Sequence, residues 1–198
     1  MDLSRPLKDE LVLDCGTYAL DLSFNRVFKL IEMLSDKEVF PIIKGYVGLM
    51  ILTDVNFEEV LAPQEALEVL QLVIEEHIQP KTDKVKPIEY DLMGNPLPQL
   101  KQEEEDDIGD ERPLFSFKHD SDYIYASFMQ AYGIDLIDKQ DNLHWRKFNA
   151  LLNGLPDNTK FMNVLRIRSW KPSKHDDAKY KEEMRKLQNQ YGLPDDSY

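Results

Sequence analysis

Four histidines, one cysteine and a scatter of aspartates are the side chains of this sequence that could do chemistry. His77, His119, His144 and His175 stand far apart, and none falls into the HExxH or CxxC spacing that gathers metal ligands. Cys15 would need a neighbouring base to act as a nucleophile, and the sequence identifies none; it reads as a buried residue of a small hairpin. Asp120, Asp122, Asp135, Asp138 and Asp141 do not follow calcium-loop spacing, and helix starts and loops attract aspartate in any case. No GxGxxG or GxxxxGK phosphate loop occurs. The expectation is a protein with no catalytic residue, metal or cofactor, and so not an enzyme.

Binding is the other chemistry these residues could support. Lys160, Arg166, Arg168, Lys171 and Lys174 form a basic run with Trp170 inside it. Such a run could meet phosphates, or it could complement a helix C-terminus and pair with the chain's acidic block, residues 103–111; the overall charge favours the second reading. His144-Trp145 could anchor a partner or seal a joint between helices, and packing is the simpler role for an amphipathic ring there. Tyr180, Met184, Leu187 and Tyr191 make a narrow stripe suited to one-sided docking, on the chain's own domain, a second copy or a partner's groove. The candidate partner-binding residues are therefore His144, Trp145, Arg166, Arg168, Trp170, Tyr180, Met184, Leu187 and Tyr191.

The elements that must position them are helical. The chain has 198 residues, 42% of them hydrophobic, with a net charge of −13. Such an excess of acid disfavours nucleic-acid binding, which depends on neutralising phosphates. No apolar run approaches the ~20 residues of a membrane helix, and the N-terminus lacks the apolar core of a signal peptide. A single cysteine allows no internal disulfide, so a reducing cytosol is the expected compartment.

Leu11 to Leu22 alternates around Cys15-Gly16 and predicts a small β-hairpin. Ser23 then stands as an N-cap before the stripe Phe24, Val27, Phe28, Ile31, Leu34. Pro41 and Pro63 suit the first turns of a second helix, to Leu52, and a third, Gln64 to Gln79, with His77 on its inner face. Residues 80–113 hold five prolines, two glycines and the acidic block 103–111, which predicts a linker. Ile88, Tyr90, Leu92 and Met93 could pin its first half to a core. Four more helices follow: Lys118 to Tyr132 capped by Gly133, Asn142 to Asn153 with His144, Phe148, Leu151, Leu152 and then Leu155 in register, Asp157 to about Arg168, and Asp176 to Tyr191. The predicted fold is mainly α, about seven helices in two packed regions (1–79 and 114–198) with at most a small N-terminal hairpin.

Three blocks carry a family resemblance: SFKHDSDYIYASFMQAYGIDL (Ser116 to Leu136), LHWRKFNALLNGLP (Leu143 to Pro156) and TKFMNVLRIR (Thr159 to Arg168). YALDLSFNRVFKLIEML (Tyr18 to Leu34) fits more loosely. The chain resembles the small tail assembly chaperones of siphophages that infect Gram-positive bacteria; Arg146 stands where that pattern often has an aromatic. The resemblance implies a non-enzymatic, non-structural assembly factor of the host cytoplasm. It would bind the long, apolar, helical tape measure protein until the tail tube polymerises around it. The major tail protein and a second copy are further candidate partners, with no nucleic acid and no membrane. The competing expectation is a structural tail or head–tail joining protein retained in the virion.

Overall fold

In the computed structural model, the described residues are 9–79 and 113–194, together with Ser4 and Leu7. The linker 80–113 and its acidic block therefore lie outside them, apart from Pro113. Among the described residues there are seven α-helices and one two-stranded antiparallel sheet, so the protein is mainly α with a small N-terminal hairpin. The strands are β1 (Glu10–Leu13) and β2 (Gly16–Ala19), with Glu10 opposite Ala19. The helices are α1 (Phe24–Ser35), α2 (Pro41–Thr53), α3 (Pro63–Val73), α4 (Ser121–Tyr132), α5 (Trp145–Asn153), α6 (Lys160–Ser169) and α7 (Ala178–Tyr191). No helix among the described residues is long and apolar enough to cross a membrane.

The hairpin turn corrects one expectation: Cys15 is exposed. The two-residue connection projects beyond the paired strands, and among the described residues no element lies over it to cover the thiol. Its sulfur sits 3.5 Å from Tyr18 Oη. The hairpin is held from below instead, where the Tyr18 ring meets Phe57 edge-on at 4.9 Å.

Ser23 occupies the N-cap position of α1, but its hydroxyl makes no cap bond and is buried without a partner among the described residues. The start of α1 is fixed by the chain that follows α4. Phe24 N–H donates to Leu143 O at 3.0 Å and Trp145 N–H donates to Leu22 O at 2.7 Å, a short bridge between Ser23 and His144. Residues on either side of segment 80–112 thus interlock through backbone bonds.

Proline opens both α2 and α3, where its missing N–H is one that the helix would not use. Close approach of the two requires glycine. A Cβ on Gly45 would lie 2.6 Å from Leu67 N, and one on Gly48 would collide with the Leu70 side chain. The third predicted helix is not uniform: α3 ends at Val73 and continues as a π turn, Ile74–Ile78. That extra residue per turn rotates His77 out of the apolar stripe. Gly133 ends α4 in the left-handed conformation at φ 63°, as its position predicts.

One hydrophobic cluster runs from Leu20 to Phe161 and draws on α1 to α6. At its centre Phe148 is fully buried, stacked on Phe24 of α1 and Phe128 of α4 at 5.1 Å each, and on Trp145 at 5.7 Å. Phe28 meets the same ring edge-on at 5.3 Å.

Candidate functional site

Two charged clusters and one exposed apolar surface are the features that could act. The first cluster is built around Asp9, just before β1, whose side chain is 6% exposed. His77 Nδ1 lies 2.8 Å from one carboxylate oxygen and His144 Nε2 lies 2.7 Å from the other. His144 is the N-cap of α5, and its Nδ1 accepts the Arg146 backbone N–H at 3.0 Å. That bond makes Nδ1 the acceptor and leaves Nε2 to face Asp9. Arg146 adds a guanidinium 3.8 Å from Asp9 and reaches Glu76 O at 3.4 Å. Trp145 Nε1 donates to Ile78 O at 3.0 Å. Asp9 therefore ties together the hairpin, the π turn and α5.

An open cleft of about 420 Å³ lies beside Asp9 and His144, lined also by Asp21, Asp54 and Asp141. Each of those carboxylates already has a partner in its own fold. Asp21 and Asp54 hold Arg26 at 2.9 and 2.8 Å, and Asp141 accepts from Asn25 at 2.7 Å. Among the described residues no group of three His, Cys, Asp or Glu side chains is arranged to hold a metal ion. The chemistry of this cluster is that of a latch.

The latch has an acid limit. Burial works to raise the Asp9 pKa, but hydrogen bonds from His144 and His77, with the guanidinium of Arg146 nearby, outweigh it and hold the carboxyl below its ordinary 3.8. A depressed folded pKa contributes stability that is fully present above the unfolded value and is lost as pH falls through the folded one. Wild type should therefore lead Asp9→Asn in urea midpoint at pH 7, and the gap should close below about pH 4. A gap of constant size from pH 7 to 3 would contradict this account.

The second cluster joins the C-terminal helices. Asp120, 1% exposed, forms a forked pair with Arg168, 10% exposed, at 2.7 and 2.8 Å. Arg168 also donates to Tyr191 O at 2.6 Å and Leu114 O at 3.0 Å, and Asp120 accepts the Ser116 N–H at 3.0 Å. The Gln188 amide caps the end of α6 by donating to Ile167 O and Trp170 O at 3.0 and 2.8 Å. Lys160 Nζ bonds Tyr191 Oη at 2.7 Å and lies over that ring, 4.3 Å from its centroid. So α7 is docked on α6 and the start of α4.

Against this geometry, a family model described as Bacteriophage Gp15 protein matches residues 7–193. The chain belongs to the Bacteriophage Gp15 family. Neither a curated protein nor a solved structure matches it.

In this Gp15-family protein the predicted binding residues separate into four places. His144 and Trp145 lie at the Asp9 latch, with Trp145 buried. Arg168, Met184, Leu187 and Tyr191 meet at the α6–α7 junction, where Met184 is buried and the other three are half-buried. Arg166 is exposed in the last turn of α6 and bonds Asn163 Oδ1 at 2.6 Å. Trp170 and Tyr180 face each other edge-on at 5.9 Å, with Tyr180 on the surface. Within the basic run Arg168 pairs with Asp120; the block 103–111, the acid partner expected from sequence, lies outside the described residues. Sequence reasoning missed Asp9, Asp120 and the outer side of α2. Only α2 left a signal, since its 13 residues PIIKGYVGLMILT carry a single charge.

Proposed function

We propose that this chain is a non-enzymatic tail assembly chaperone, which binds the phage tape measure protein in the host cytoplasm and keeps it soluble until the tail tube polymerises. Membership of a bacteriophage family supports a phage role, and the blocks from Ser116 to Arg168 resemble the chaperones. The observation that carries the reading is that an acidic chain of net charge −13 keeps large apolar side chains of one helix, α2, in water. Such a surface marks a binding site on a protein whose own charge keeps it dispersed. The partner is the tape measure protein, with the major tail protein and a second copy as further candidates; nucleic acid and membrane are not partners. Mass spectrometry of purified virions should find tail tube and tape measure proteins without this chain. Stoichiometric retention would favour the structural tail or head–tail joining reading.

A further inference from the structure

The inner side of α2 is complete. Gly45, Gly48, Leu49 and Leu52 are buried against α3 and α1. At ~3.6 residues per turn, Ile43 and Met50 stand two turns apart on the opposite side. They are 42% and 45% exposed, with Ile42 at 59% and Phe40, just before the helix, at 71%. Tyr46 Oη donates to Leu61 O at 2.7 Å, which lays the segment before α3 along the same side. That segment contributes exposed Val60 to the apolar surface and exposed Glu58 and Glu59 to its edge. A helix that is apolar all round belongs inside a structure, yet one side of this helix faces water.

Charge indicates what covers it. Of the seven carboxylates between Lys44 and Gln79, Glu58 and Glu59 stand exposed at this edge, and the stretch has no Lys or Arg to offset them. Lys44 itself is turned inward to Leu34 O, bonded at 2.5 Å. A second copy would meet this face through a self-complementary interface, which sets the same acidic rim against itself. A helix with an apolar stripe and basic edges meets both the apolar centre and the acidic rim.

We infer that the outer side of α2 (Phe40, Ile42, Ile43, Met50 and Val60) is the docking surface for an amphipathic helix of a partner protein whose apolar stripe is flanked by Lys or Arg. This rests on the chaperone reading and specifies which kind of tape measure segment the chain would hold.

Two 20-residue helical peptides test it, with one Leu/Ala stripe flanked in one by Lys and in its twin by Glu. Binding to the full chain is followed by fluorescence anisotropy. The Lys peptide should bind at least tenfold tighter than its twin, and the difference should shrink as salt is raised. The double variant Ile43→Ser/Met50→Ser should weaken Lys-peptide binding at least tenfold while its unfolding midpoint stays near that of wild type. Equal binding of the twins, or unchanged binding by the variant, would overturn the inference. A benzophenone photo-crosslinker placed at position 43 identifies the occupant without relying on stability. Cross-links to the Lys peptide support the assignment, whereas cross-links to a second copy or to residues 80–112 of the same chain overturn it. If the variant still solubilises the tape measure protein as wild type does, the surface is wrong and the chaperone reading stands; if wild type itself fails to solubilise, that reading falls.

Discussion

Phe148→Ala is expected to destabilise the protein by about 3–5 kcal/mol, the range for removing a fully buried aromatic ring from a core. The ring lies between Phe24 of α1 and Phe128 of α4, so the cavity would open between elements from both sides of segment 80–112. Neighbours that are themselves large rings cannot collapse into the gap without leaving their rotamers, which places the cost toward the upper part of that range. Denaturant unfolding, followed by circular dichroism and by tryptophan fluorescence, is the measurement. Both signals should move together to lower denaturant, because Trp145 stacks on the same ring. Phe148→Leu should recover much of the loss by restoring volume. A loss below about 1 kcal/mol for the alanine variant would mean that the ring is not the centre of the core.

Arg168→Ala has the other large expected effect. It would leave the Asp120 carboxylate buried without its forked partner and strip a donor from Tyr191 O and Leu114 O. Breaking a buried pair by removing one member costs about 3–5 kcal/mol, mostly the penalty of the charge left behind. Arg168→Lys should rescue little, since an ammonium cannot make two parallel bonds to a carboxylate while also reaching two carbonyls. The double variant Asp120→Leu/Arg168→Met, which removes both charges, should be more stable than Arg168→Ala alone. If the double variant is the less stable of the two, the pair is worth more than the burial of its charges explains.

Phe148 and Asp120 differ in how far the sequence reveals them. Phe148 was legible because its neighbours Leu151, Leu152 and Leu155 recur at helical spacing, and a periodic apolar residue near a helix joint is core. Seven helices and the hairpin followed from such patterns and from Pro41, Pro63 and Gly133. Asp120 was not legible: its partner lies 48 residues further along, and a single polar residue has no period. Asp9 was hidden for the same reason, with His77 and His144 lying 68 and 135 residues away. The π turn that presents His77 cannot be told from α-helix by pattern, because it adds only one residue to one turn. The outer side of α2 was hidden by the opposite problem. An apolar residue at nearly every position names the helix but not the side left in water.

The central claim is that this chain holds a phage tape measure protein in solution. Co-expression with the tape measure protein of the same phage, followed by separation of soluble and insoluble fractions, tests it most directly. The account predicts that the tape measure protein moves into the soluble fraction and co-purifies with this chain. It would be contradicted if that protein stayed equally insoluble with and without the chain while the chain itself was well folded.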